Sequence, residues 1–318
     1  MKISIIIPNY NGASLLEENF SSVLEAVQFY IKDPKNTAEI IYIDDASTDT
    51  SIDILNSNKL KVKDKNIAIV IMQNKKNIGF SFTINRAVAA SIGEILVLLN
   101  TDVIPEKEFL KPLLSHFTDE KVFAVGCMDK SIEGAKTILR GRGIGRWQRG
   151  FLMHQRGEVN KTVTLWVNGG SGAFRRSIWD TLGGFNTFYS PFYWEDIDIS
   201  YRAIKSGYKV IFEPKSIVIH KHEKGAIKKA YSTFQVKIIA YRNQFIFVWL
   251  NITDLHLQLS HVLWLPYHIL KAIIRGDRAF LVAFLKALCL LPGIVLSHFK
   301  NKKIFKKNDK EIVSAYYE

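Results

Sequence analysis

Three short apolar runs each end in a polar group: Pro8-Asn9-Tyr10-Asn11, Asp44-Asp45 and Asn100-Thr101-Asp102. Asp44 leads into the turn Asp45-Ala46-Ser47-Thr48-Asp49, where a carboxylate can accept hydrogen bonds from a nucleobase imide or a ribose hydroxyl. The same turn equally suits plain capping of the next helix by Ser47, Thr48 or Asp49. Asp102 closes the run 95–99 and would project from a sheet edge, where it can share a hard divalent cation with diphosphate oxygens. The alternative there is an ordinary strand-to-helix turn, with Pro105 opening the helix. His220 ends the alternating stretch 216–220 and offers an imidazole nitrogen to the same metal, although a lone histidine is more often structural.

Trp194-Glu195-Asp196-Ile197-Asp198 sets three carboxylates behind a turn with Pro191 and two tyrosines. Acidic residues in a first helical turn suit the helix dipole, and that alone accounts for them. The functional alternative is a general base in an aromatic cleft. Asp198 and Arg202 stand four apart and read as a supporting ion pair, which leaves Asp196 or Glu195 as the base. The glycines of Asn168-Gly169-Gly170-Ser171-Gly172-Ala173 permit close backbone approach to a ligand and a sharp turn before a helix near Arg175. They form neither a P-loop nor a dinucleotide fingerprint.

The elements that position these groups follow from periodicity. Residues 3–7, 39–44, 67–73 and 94–100 read as buried strands separated by helical patterns, and Ser14 with Glu17 resembles a capping box before one of them. Strand, helix, strand repeated predicts an open, mostly parallel sheet covered on both faces, with ligands at the carboxyl ends of the strands. Residues 129–161, rich in Gly and Arg, read as loops and short strands.

With 47% hydrophobic content the chain can bury a full core, so disorder is not the expectation. Cys127 and Cys289 lie far apart, which argues against a disulfide framework or zinc knuckle and for a reducing compartment. The apolar stretch before Pro8 is too short for a signal-peptide core, so the catalytic part is expected in the cytosol. A net charge of +13 points to anionic partners. Lys300, Lys302, Lys303, Lys306, Lys307 and Lys310 directly follow the apolar region 244–299, an order that favours an anionic membrane surface over nucleic acid. The longest uncharged run there, 255–270, falls short of the roughly 20 residues a span requires, so in-plane amphipathic helices are expected, with a buried helical subdomain as the alternative.

Taken together, SIIIPNYNG, IDDASTDTS, NIGFSFTINRAV, LLNTDV, NGGSGAFRRSIWDTLGGF, WEDIDISYRAIKSGY and EPKSIVIH resemble, in order and spacing, the family-2 glycosyltransferases of the GT-A fold, rhamnosyltransferase-like bacterial members included. The resemblance covers about residues 2–243. It implies that Asp44 meets the nucleobase, Asp102 holds the metal with His220, and Asp196 of the Glu195-Asp196 pair is the base. By the same likeness Pro8, Asn9, Tyr10, Asn77, Gly79 and Thr101 line the nucleotide pocket, and Gly170, Ser171, Gly172 and Trp194 shape the donor-sugar and acceptor pocket. The usual Asp-x-Asp is Asn100-Thr101-Asp102 here, so one carboxylate is lost.

The expectation is therefore a GT-A catalytic domain over 1–243, a membrane-associating helical region over 244–299 and a basic tail over 300–318, at the cytoplasmic face of a membrane. The enzyme would use Mg²⁺ or Mn²⁺, a nucleotide-sugar donor and a glycan or lipid-linked acceptor. A sugar-phosphate nucleotidyltransferase would need a Gly- and Arg-rich phosphate loop after the first strand, which Asn9-Tyr10-Asn11-Gly12 lacks. A non-catalytic scaffold would be favoured had Asp102 or Asp196 been replaced.

Overall fold

The computed structural model of the chain describes residues 1–62, 64, 66–134, 136–220 and 230–317. Its first half alternates β1 (Lys2–Asn9), α1 (Ala13–Tyr30), β2 (Thr37–Asp44), α2 (Ser51–Lys61), β3 (Ile67–Gln73), α3 (Phe80–Ala90) and β4 (Ile95–Leu99). A short β5 (Val103–Pro105) and α4 (Leu110–Ser115) follow, then β6 (Val122–Glu133), β7 (Lys136–Arg140), β8 (Gly143–Gln148) and β9 (Phe151–Arg156). β10 (Ser171–Arg175), α5 (Arg176–Leu182), α6 (Glu195–Lys205) and β11 (Lys209–His220) complete the sheet. The chain then becomes helical: α7 (Thr233–Asn251), α8 (Leu255–Ile274), α9 (Arg278–Lys302) and α10 (Asp309–Ala315).

The main sheet runs β3-β2-β1-β4-β10-β6-β11-β5, with β7 on β6. β1 to β4 are mutually parallel where paired, as expected, while β10 is antiparallel to both of its neighbours. Alternation sends neighbouring residues to opposite faces. Ile5 thus packs with Leu16, Val23 and Leu113 on one side, and Ile6 with Ile84, Leu96 and Phe174 on the other. Burial on both faces is why these strands read as continuous Ile/Val/Leu runs.

Local expectations fail at the start of α1 and at the C-terminal boundaries. The capping box at Ser14 is absent: α1 already begins at Ala13, and Asp49 from the next loop accepts the Ala13 amide at 3.0 Å instead. Residues 129–161 hold short strands joined by loops, as expected, and these pair antiparallel, β6 with β7 and β8 with β9. The second is closed by Arg149 and Gly150, whose φ values of 48° and 80° match the right-handed twist of a two-residue hairpin. Finally, the boundary expected at 243/244 falls inside α7, and among the described residues 300–317 no basic tail hangs free. α9 continues to Lys302, and α10 docks through buried Asp309 and Ile312.

Among the described residues one helix, α9, is long and apolar enough to cross a membrane by length and composition. One of its faces, with Phe280, Ala283, Ala287 and Ile294, is buried in the protein.

Candidate active site

The carboxyl ends of β1, β2 and β4 meet at one edge. Asn9 Nδ2 donates to Asp44 Oδ1 at 2.8 Å, and the Ser47 amide donates to Asp44 Oδ2 at 2.9 Å. Asp44 is fully buried, so its carboxylate ties together the ends of β1 and β2 and fixes Ser47. Asp45 points the other way. It accepts the amides of Ile78 and Gly79, each at 2.9 Å, together with Asn74 Nδ2 at 2.7 Å, and so holds the 77–79 loop. Gly79 needs to be glycine: its φ is 85°, and a Cβ there would lie 2.5 Å from Ser190 Oγ. Asn77 is exposed on this loop, while Pro8, Tyr10 and Thr101 are partly exposed along the same edge.

At the end of β4, the Asn100 amide donates to Gly170 O at 2.9 Å, and a Cβ on Gly170 would collide with the Asn100 side chain at 2.3 Å. The adjacent Gly169 amide donates to Asp196 Oδ2 at 3.3 Å, and the Ile197 amide donates to Oδ1 at 2.8 Å. Two successive glycines thus join the strand end that carries Asp102 to the helix start that carries Asp196. Burial pushes the Asp196 carboxyl above the ordinary aspartate range, against the pull of those amides. Glu195 is more deeply enclosed. Its Oε2 has no hydrogen-bond partner among the described residues, and burial, with the charge of Asp196 beside it, holds it well above the usual range.

Two residues from Asn100, Asp102 Oδ1 lies 3.2 Å from His220 Nε2. The other ring nitrogen, Nδ1, is 2.8 Å from Asp129 Oδ2. Burial opposes charge on this ring, but the hydrogen bonds to Asp102 and Asp129 outweigh it and raise His220 to about 9. The donor set suits a hard or borderline divalent cation. Asp102 and His220 Nε2 face each other, and Asp129 on Nδ1 orients the ring as carboxylates do behind metal-bound histidines. No group of three or more potential ligands occurs among the described residues, so substrate phosphates would supply the rest, as is usual for Mg²⁺.

The helix that presents Asp196 is anchored from below. Asp198 forms the ion pair expected with Arg202, 2.7 Å apart, and also accepts from Tyr189 at 3.0 Å and from Asn251 of α7 at 2.7 Å. The preceding loop is gripped by α7: Asn243 Nδ2 donates to the carbonyls of Tyr189, Phe192 and Tyr193 at 2.9–3.0 Å, and Arg242 to that of Ser190 at 2.5 Å. Ser190–Pro191 in this loop is cis, and Tyr193 and Trp194 take left-handed φ of 72° and 77°.

The expected sugar pocket is divided. Gly170 lies at the edge, but Ser171 and Gly172 belong to β10 in the interior of the sheet, where a Cβ on Gly172 would meet Val167 at 2.2 Å. These positions are small because the strand packs tightly. The Trp194 ring is buried against His154 and Phe247, so Tyr193 is the ring of that turn that faces solvent.

The sequence model of the Glycosyl transferase family 2 matches residues 4–182, and that of Glycosyl transferase family group 2 matches residues 95–296. The chain belongs to glycosyltransferase family 2. This family-2 chain is 25% identical over 228 residues to the O-antigen chain rhamnosyltransferase RfbN of Salmonella typhimurium, covering 70% of the chain and 67% of that relative. Among solved structures it is similar to S. aureus TarS 1-349 in complex with UDP-GlcNAc, with a TM-score of 0.60, 17% identity and coverage of 99% and 91%. GalNAc-T7 with UDP, GalNAc and Mn²⁺ gives a TM-score of 0.62 at 19% identity, over 79% of this chain and only 48% of the other. These likenesses place the family-2 chain in the GT-A fold.

Sequence reasoning missed Asp129 and the loop-holding role of Asp45. Both were visible as carboxylates ending or following apolar strands, but only the folded sheet shows which neighbour each one serves.

Proposed function

We propose that the chain is an inverting, metal-dependent glycosyltransferase that moves a sugar from a nucleoside-diphosphate donor to a hydroxyl of a glycan or lipid-linked acceptor in cell-surface polysaccharide synthesis. One observation carries this: the two-glycine link sets Asp196 beside the strand end whose Asp102 faces His220. The name of RfbN and the UDP-GlcNAc bound to TarS support the substrate classes.

In this reading the donor's nucleoside lies over Pro8, Asn9, Tyr10, Asp44, Asn77, Gly79 and Thr101, and its sugar near Gly170. Asp196 accepts the proton of the acceptor hydroxyl as that oxygen bonds to the anomeric carbon. The bond from that carbon to the diphosphate breaks on the opposite face, which inverts the configuration. Its raised pKa makes Asp196 a stronger base than a free aspartate, and the Gly169 and Ile197 amides keep its oxygens oriented. Asp102 and His220 would hold Mg²⁺ or Mn²⁺, which supplies charge neutralisation on the leaving diphosphate. The enzyme works at the cytoplasmic face of a membrane, held there peripherally; the exposed apolar residues of α8 and α9 support this.

A screen of nucleotide sugars, read by release of nucleoside diphosphate, identifies the donor. Asp196→Asn then lowers kcat at least about a hundredfold with donor affinity nearly unchanged. Near-normal turnover in that variant rejects the assignment.

A further inference from the structure

Away from the active site, a cleft of about 340 Å³ opens between the tip of the β8–β9 hairpin, α7 and the junction of α8 with α9. Three cations line it: Arg149, Lys271 and Arg275. Its one carboxylate, Asp277, is already engaged by Lys237 at 3.0 Å and by the Tyr241 hydroxyl at 3.1 Å. Among the described residues none of the three cations has a carboxylate within ion-pair distance. Arg149 is held in place: its guanidinium donates to the Tyr267 hydroxyl at 3.2 Å and lies over the rings of Trp264 and Tyr267. The His268 ring anchors the Arg149 carbonyl at 2.8 Å.

Beside this cleft α8 turns an apolar stripe to solvent. Leu259, Leu263, Leu270 and Ile274 are 53–76% exposed, and their spacing keeps them on one face. On α9, Leu285, Leu296 and Phe299 are exposed as well. Uncompensated cations next to an exposed apolar ridge match the two layers of a lipid surface, anionic headgroups above and acyl chains below.

We propose that the α8–α9 face docks on an anionic phospholipid bilayer, with a headgroup phosphate bound between Arg149, Lys271 and Arg275. The proposal deepens the peripheral-membrane part of the proposed function and rests on it. It also sets the geometry of the reaction. β9 leads from the cleft to His154, whose ring packs on Trp194 at 4.8 Å, immediately before Glu195 and Asp196. The strand residues 151–154 span roughly 10 Å, so docking holds the base at a fixed distance from the headgroup seat.

The test uses the full chain and sedimentation with vesicles of phosphatidylcholine alone or with 30% phosphatidylglycerol, a fraction fixed by the experimenter. Each cation near an anionic surface contributes about fivefold to partitioning, so R149Q/K271Q/R275Q weakens binding to the mixed vesicles by about a hundredfold. The double variant K271Q/R275Q, which leaves the Arg149 packing intact, loses about twenty-five-fold on the same arithmetic, with a melting temperature like that of the parent. L263Q/I274Q weakens binding to both kinds of vesicle. Parent-like binding by both cation variants overturns the phosphate seat while leaving membrane association standing. A parent chain that ignores both vesicles, or that covers the stripe by dimerising, overturns the membrane reading itself. Donor hydrolysis, measured in parallel without vesicles, reports separately on the glycosyltransferase reading.

Discussion

Glu195 and Asp196 stand side by side at the start of α6, yet their surroundings differ. Asp196 accepts two amides and is partly open to the cleft, whereas Glu195 is buried with an oxygen that meets no donor among the described residues. Burial and the neighbouring Asp196 charge favour the uncharged form of Glu195, and Glu195→Gln keeps the shape of that form. That variant keeps turnover within about tenfold, far from the loss expected for Asp196→Asn. Abolished activity in the Gln variant would move the base to Glu195. Because Asp196 itself is raised, the acid limb of kcat/KM lies above the ordinary aspartate range: the base is lost as pH falls through its pKa. At the metal pair, Asp129 acts through His220, and carboxylates in that position are worth about 10–100-fold in metal affinity. Asp129→Ala therefore raises the Mn²⁺ or Mg²⁺ concentration for half-maximal activity by about that factor, and an unchanged requirement would leave His220 a structural residue. The pairing of Asp102 with a histidine 118 positions later was legible as two strand ends, each with a structural alternative, and it was the family resemblance that joined them at one metal. Asp129 fell in a stretch without sustained periodicity, so nothing in the sequence connected it to either.

At the scale of elements, the strands of the first half were legible because burial on both faces leaves unbroken apolar runs, as in β1, β2 and β4. The start of α1 was not, because its cap comes from Asp49, 36 residues away, and a local motif search finds Ser14 instead. The turn before α6 shows the same limit more sharply. Its conformation, left-handed at both Tyr193 and Trp194, is imposed by Asn243 and Arg242 of α7, some fifty residues downstream. Neither side chain faces the reacting atoms, so both are positioning residues. Asn243→Ala removes the donor to three carbonyls, which costs about 1–3 kcal/mol if they are left unsatisfied. It also lets the turn that carries Asp196 relax, so kcat falls with little change in donor KM. A purely structural role would lower the melting temperature alone. If positioning of the base is the cause, adding Asn243→Ala to Asp196→Asn lowers kcat no further, because the group being positioned is already gone.

On the scale of the whole molecule, composition divides the chain where packing does not. Residues 244–299 are apolar and 300–318 basic, but Phe245, Phe247, Val248 and Leu250 lie in the same core as Ile6 and Leu96. A composition scan sees a change in polarity; it does not see that one face of α7 supports the base helix while α8 and α9 turn other apolar residues outward. The C-terminal segment is tied to that same helix. Lys205, at the end of α6, is fully buried and donates to Asp309 Oδ1 at 2.5 Å, while Asp309 also accepts from the Tyr201 hydroxyl at 2.7 Å and from the amides of Thr253 and Asp254 at 2.7 and 2.9 Å. Burial opposes the charged form of Asp309, but Lys205 and the donors around it outweigh this and hold its pKa below the ordinary value. A carboxylate with a lowered folded pKa gives stability that is present above the unfolded pKa and lost as pH falls through the folded one. Removing one partner of a buried pair leaves the other uncompensated, so Asp309→Ala costs about 3–5 kcal/mol. At about 2 °C per kcal/mol for a chain of this size, the melting temperature drops by roughly 6–10 °C. Replacing both partners, as in K205M/D309L, removes the stranded charge and recovers much of the loss. An Asp309→Ala protein that melts with the parent at neutral pH would mean that α10 is peripheral to the fold, and that Lys205 reaches solvent without it.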